Sequence, residues 1–141
     1  MVLDTHVWIW AADGGTKLGS KARKRLEKGA ASVASGSRMS VSTASVFEIA
    51  ALHTAGRLAL NQSPERWIRE SIDRGGLRVI DIERDIAVDA GLIPAKALPD
   101  PIDRCLVATA REYDVPLMTA DRKILDYARR TSLVRVIDAS D

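Results

Sequence analysis

Short apolar, β-branched runs alternate with longer stretches of helical period along the whole 141-residue chain. The strand-like runs are Met1 to Leu3, Met39 to Val41, Leu77 to Ile82, Val115 to Thr119 and Leu133 to Ile137. Between them the pattern predicts a helix through Ala12 capped by Thr5, and a basic helix from Ser20 as its cap to about Lys28. A third helix, capped by Ser42 or Thr43, carries Val46, Ile49, Ala50 and Leu52 on one side and stops at Gly56. A fourth starts at Ser63-Pro64, sets Trp67, Ile68 and Ile72 on one face and ends at Gly75-Gly76. Further helices are expected from Glu83 to about Leu92, from Asp103 onward, and from Arg122 to about Arg130. The stretch from Gly29 to Ser37 reads as a loop, and Pro94, Pro99 and Pro101 mark an extended connection. Alternation of this kind is the mark of βαβ units, hence of an α/β fold around a parallel sheet.

Length adds that residues 1–141 form a single domain, since the chain is too short for two comfortable cores. Hydrophobic content of 46% with 28% charged residues excludes a disordered chain. The apolar run Val7 to Ala12 is far shorter than the roughly 20 residues a membrane span needs, and it follows Asp4 and His6 rather than a basic stretch. The expectation is mature sequence in the cytoplasm, with no membrane association. The lone Cys105 cannot form an internal disulfide and reads as a small packing residue. A net charge of +2 conceals an uneven distribution, because seven basic residues fall between Lys17 and Arg38 against the single acid Glu27. Lys21, Arg23, Lys24 and Arg25 are therefore candidates to hold a polyanion.

Four acids far apart in the chain fall where this alternation brings them to one end of the sheet. Asp4 closes the first strand, Glu48 interrupts the apolar helical stretch Val46 to Leu52, Asp103 opens a helix, and Asp121 follows the strand ending at Thr119. Ligands in open α/β folds gather at the carboxyl ends of the strands. Carboxylates crowded there repel one another until a divalent cation neutralises them. Mg²⁺ and Mn²⁺ take carboxylate and water oxygens, whereas zinc recruits His or Cys, of which the chain has two and one. Such a centre suits phosphodiester hydrolysis. The structural alternative is that an acid at a helix N-terminus, as at Asp103 or Asp121, is a cap worth about 1 kcal/mol. Asp4 resists that alternative, because a charge directly after a central strand is costly unless it is paired or metal-bound. Other chemistries lack their motifs: Gly14-Gly-Thr-Lys17 has not the spacing of a P-loop, and neither a dinucleotide fingerprint nor a His-Glu-x-x-His motif occurs. His53 reads as a surface or capping residue, and His6 as either a packing residue or a substrate contact.

Five segments, Leu3 to Trp10, Ser42 to Ala50, Gly56 to Leu60, Asp100 to Ala110 and Thr119 to Asp121, together resemble PIN-domain ribonucleases of the VapC toxin type. The resemblance spans nearly the whole chain, with mild departures at Ile102 and Cys105 and in the segment of residues 29–37. It implies a three-layer α/β/α fold around a parallel sheet of about five strands, and a Mg²⁺- or Mn²⁺-dependent endoribonuclease. Asp4, Glu48, Asp103 and Asp121 match the family's catalytic and metal-binding acids. Thr5, Ser45 and Thr119 match polar positions that support them, and Asp100 matches a further acid that either reaches the metal or caps the following helix. The resemblance also implies a cognate VapB-type, DNA-binding antitoxin and an RNA substrate. A homodimer is expected, with Trp8, Trp10 and the Trp67, Ile68, Ile72 face as candidate contact surface. Two alternatives stand beside the toxin: a PIN nuclease of RNA processing, and a silent RNA-binding module that keeps the fold.

Overall fold

The computed structural model describes residues 1–32 and 38–141. Among them five strands and seven helices alternate in the order β1 (Val2–Leu3), α1 (Thr5–Ala12), α2 (Ser20–Ala31), β2 (Ser40–Ser42), α3 (Thr43–Thr54), α4 (Pro64–Gly75), β3 (Arg78–Ile80), α5 (Arg84–Leu92), α6 (Pro101–Glu112), β4 (Leu117–Thr119), α7 (Arg122–Thr131) and β5 (Val136–Asp138). All the strand pairs are parallel, and the sheet order is β3-β2-β1-β4-β5. The order reverses at β1, so the carboxyl ends of β1 and β4 form the switch point where ligands bind in such sheets.

The period-2 pleat sorts the strand side chains between two cores. Val2, Ile80 and Leu117 join Ile86, Leu106 and Ile124 under α5, α6 and α7. Leu3, Val41 and Met118 face the other way and pack with Val7, Leu26, Ile49 and Trp67 of α1 to α4. The result is the expected three-layer α/β/α arrangement. No helix among the described residues is long and apolar enough to cross a membrane.

The strands are shorter than their apolar runs suggested, and several caps fall one residue away from the sequence reading. Asp4 occupies the N-cap position of α1 and Thr5 is its first helical residue. Gly19, not Ser20, occupies the N-cap position of α2. A side chain at Gly19 would meet the Asp141 backbone at 2.2 Å, which explains a residue without Cβ there. Helix α2 runs on to Ala31, so the expected loop begins later, and its residues 33–37 lie outside the described residues. Ser42 caps α3 by accepting from Ala44 N–H, while the Thr43 hydroxyl accepts from Ile82 N–H across the sheet edge. Helix α6 starts at Pro101, two residues before Asp103, because Asp100 is its cap and proline suits the first helical position.

Candidate active site

The carboxyl ends of β1 and β4 are joined by one hydroxyl. Thr119 Oγ1 donates to Asp4 Oδ2 at 2.5 Å and accepts from the Asp121 backbone N–H at 2.9 Å. Asp4 is thereby seated in a buried position directly beyond the central strand. Asp121 caps α7 by accepting from Lys123 N–H at 2.7 Å, and Asp100 caps α6 by accepting from Ile102 N–H at 2.8 Å. The cap reading and the site reading of these two acids hold together: capping fixes each carboxylate at the sheet's carboxyl end.

Asp103 lies in the first turn of α6, buried to 9% exposure. Burial, then the charges of Asp100, Asp121, Asp4 and Glu48, push its carboxyl up to about 8. Glu48, half-buried on α3, is also raised, by burial first and then by Asp4 and Asp100, against the pull of the Thr5 hydroxyl and His6. Burial raises Asp4 too, opposed chiefly by Thr119, with Asp121 adding to the rise. The charges of five acids thus meet at this end of the sheet, and Asp100, which the resemblance offers as either a metal contact or a cap, is the largest charge acting on Asp103.

Support for Glu48 arrives indirectly. Ser45 lies one helical turn before it, but its Oγ hydrogen-bonds Thr5 Oγ1 at 2.8 Å, and it is Thr5 that lies against the Glu48 carboxylate. Both hydroxyls are fully buried, so each needs this partner. Exposed His6 sits near enough to Asp4 and Glu48 for its charge to favour their ionised forms. His53 turns elsewhere, with Nδ1 3.2 Å from the Leu58 carbonyl, and Cys105 is half-buried and free.

All eight polar residues named from sequence therefore meet at one end of the sheet. Among the described residues, however, no three acidic, histidine or cysteine side chains close around a single point as ready ligands. The acids act on one another through charge without closing on a common point. Two of the basic candidates on α2 are engaged within the chain: Lys21 Nζ pairs with Asp141 at 2.9 Å, and Arg23 donates to the Gly15 and Leu18 carbonyls. Trp8 and Trp67 are buried against each other with ring centroids 5.7 Å apart, so they belong to the core and meet the surface only as the floor of a groove between α1, α2 and α4.

A parallel sheet of order β3-β2-β1-β4-β5, with acids gathered at its switch point, defines a doubly wound α/β fold with a ligand site at the carboxyl ends of its strands. The family model described as the PIN domain matches residues 1–130, and the chain belongs to that family. Among curated proteins it is similar to "Ribonuclease VapC22" of Mycobacterium tuberculosis (strain ATCC 25618 / H37Rv), with 27% identity over 124 residues and 88% of each chain covered. Its fold is that of a chain in the DNA-bound VapBC structure from Salmonella typhimurium, at TM-score 0.64, 21% identity and coverage of 97% and 96%. A chain of VapBC2 from Rickettsia felis, bound to a promoter DNA fragment, superposes at TM-score 0.66 with 13% identity and the same coverage.

Proposed function

We propose that this protein is a Mg²⁺- or Mn²⁺-dependent endoribonuclease, the toxin of a type II pair with a VapB-type, DNA-binding antitoxin. One observation carries the reading: Asp4, Glu48, Asp103 and Asp121, scattered along the chain, are brought to the switch point, where burial and then neighbouring carboxylates raise Asp4, Glu48 and Asp103. The donor set fits the ion, being oxygen only and carboxylate-rich. Acids that do not close on a common point also suit Mg²⁺, which keeps several of its waters and takes few protein ligands directly.

A bound ion would lower the pKa of the attacking water, polarise the phosphoryl oxygen and neutralise charge on the leaving oxygen. The chain's own residues prepare that centre. Thr119 holds one oxygen of Asp4 and the backbone of Asp121, fixing the β1 and β4 sides together. Asp103 keeps its proton near neutral pH in the ion-free protein and gives it up on ligation, so binding releases a proton. Thr5, backed by Ser45, orients Glu48. RNA is the substrate, and the cytoplasm the compartment this reading implies; the α2 cations Lys21, Arg23, Lys24 and Arg25 remain candidates to hold its backbone.

The similarity to a VapC ribonuclease and to chains of VapBC complexes supports the partner as well. So does a groove of about 340 Å³ between α1, α2 and α4, floored by Leu3, Trp8, Leu26, Met39, Trp67 and Leu77, which fits an amphipathic segment of an antitoxin. Val88 and Leu92, exposed one turn apart on α5, give an apolar strip suited to a homodimer.

The test is cleavage of end-labelled total RNA by antitoxin-free protein in Mg²⁺, Mn²⁺ and EDTA, beside Asp103→Asn. Discrete products that vanish in EDTA and fall by roughly 10²-fold or more in the variant are expected. A folded wild type that binds RNA without cutting it would make the chain a silent binding module instead.

A further inference from the structure

A basic groove of about 430 Å³ borders the acidic site without belonging to it. Its walls are the Lys96, Ala97 and Pro99 connection on one side and α7 on the other, with Lys123, Arg129 and Arg130 facing in and Asp126 the one acid among them. The groove touches the site at two points: Pro99 is followed by Asp100, and the backbone N–H of Lys123 holds Asp121 Oδ1. Arg129 pairs with Asp126 at 3.1 Å, and Arg130 Nε reaches only the Asp126 carbonyl at 3.4 Å. Lys96 and Lys123 make no ion pair among the described residues.

Four cations against one acid, alongside a group of acids they do not neutralise, is an arrangement that needs an outside partner. A polyanion with one phosphate at an ion among those acids would leave its neighbouring phosphates over this groove. From Lys123 to Arg130 the helix rises about 10 Å, length enough for more than one of them. The α2 cations are less free for that task, since Lys21 and Arg23 are already engaged within the chain.

We propose that the groove between residues 96–99 and α7 carries the RNA backbone beside the scissile bond, through Lys96, Lys123 and Arg130. The proposal rests on the nuclease reading above and names the track by which that site holds its substrate. The three side chains are exposed, so their replacement by glutamine leaves the fold intact, which a thermal melt verifies.

The experiment titrates a fluorescent single-stranded oligoribonucleotide in EDTA, so that nothing is cut, over a series of salt concentrations. Compared are the wild type, the triple variant Lys96→Gln, Lys123→Gln, Arg130→Gln, and an α2 variant Lys21→Gln, Lys24→Gln, Arg25→Gln. The groove variant should bind at least ten-fold more weakly, and its salt slope should flatten by about 2, the share of three phosphate contacts to a single strand. Lys123→Arg, which keeps the charge, should bind as the wild type does. A groove variant with unchanged affinity and slope overturns the proposal while leaving the nuclease reading standing. Loss of binding to polyglutamate but not to RNA would assign the groove to an acidic peptide and overturn it as well. A wild type that binds no RNA removes both readings.

Discussion

The first turn of α6 and the turn that follows it each bury one side chain, Asp103 and Leu106, yet the two are opposite in physical character. Leu106 is fully enclosed by Val2, Leu117 and Ile124 and their neighbours, where every contact favours the fold. Asp103, three residues earlier, is buried to 9% exposure among four other carboxylates that disfavour its charge. One helix therefore spends its middle on stability and its first turn on a site that is uncomfortable without a cation. Strain of this kind concentrates at functional sites, and the dry core beneath α5 to α7 is what tolerates it.

The sharpest way to break that contrast is to mutate both residues and measure stability without metal. Leu106→Ala should cost about 2–5 kcal/mol in chemical denaturation, with or without Mn²⁺. Asp103→Asn should leave the ion-free protein about as stable as the wild type near neutral pH, where the carboxyl is already uncharged, and more stable above about pH 8, where the wild type must carry a repelled charge. A comparable loss in both variants would make Asp103 an ordinary structural residue of the first turn of α6.

Metal and pH sharpen the comparison next. Mn²⁺ at about 100 times its dissociation constant should stabilise the wild type by roughly 2.7 kcal/mol, and Asp103→Asn by much less. In EDTA, the Asp103 carboxyl is protonated in the folded chain up to about 8 but only near its ordinary 3.8 in the unfolded one. Between those values the folded state holds the extra proton, so stability is greatest in acid and falls as pH rises, at up to about 1.4 kcal/mol per unit. Asp4 and Glu48, also raised, act in the same direction. Melting temperatures from pH 4 to 8 should decline in EDTA, flatten in Asp103→Asn, and decline less in Mn²⁺. A stability that climbs over this range would contradict the buried, mutually repelling acids.

The smallest effect tests the hinge between the two regions. Thr119→Val keeps shape but removes the hydroxyl shared by Asp4 and Asp121, and should cost about 1–3 kcal/mol. Mn²⁺ affinity, measured by calorimetry, should fall about 10- to 100-fold. An unchanged affinity would show that Asp4 is placed by its strand alone.

Much of this was legible in the chain. Period-2 runs and capping signals located every strand and helix to within a few residues, because local hydrogen bonding and amphipathic burial act over neighbours in sequence. Boundaries drifted where a distant contact set them. Gly19 displaces Ser20 at the α2 N-cap position because Asp141 packs on it, and β5 begins at Val136, beside Leu117, rather than at Leu133. Asp4, Asp103 and Asp121 stood out by their place after strands and at helix starts, Glu48 by interrupting an apolar helical stretch, and Asp100 only through the family resemblance. Their weights were not: Asp100 gained importance only once α6 set it beside Asp103. The basic groove went unread for a related reason, since Lys96 and the α7 cations lie in separate segments with no run of like charge to announce them.

The sequence by itself determined the α/β alternation and the helix starts near Ser42, Ser63 and Asp121, and it placed Asp4, Asp103 and Asp121 at the carboxyl end of the sheet, because each depends on residues a few positions apart. Only the tertiary structure decided that Ser45 reaches Glu48 through Thr5, that Trp8 and Trp67 are core, and that a basic groove borders the acids. Those facts depend on strand order and helix packing, which bring together side chains 40 to 115 positions apart, and electrostatic interactions sum over distances in space and not along the chain.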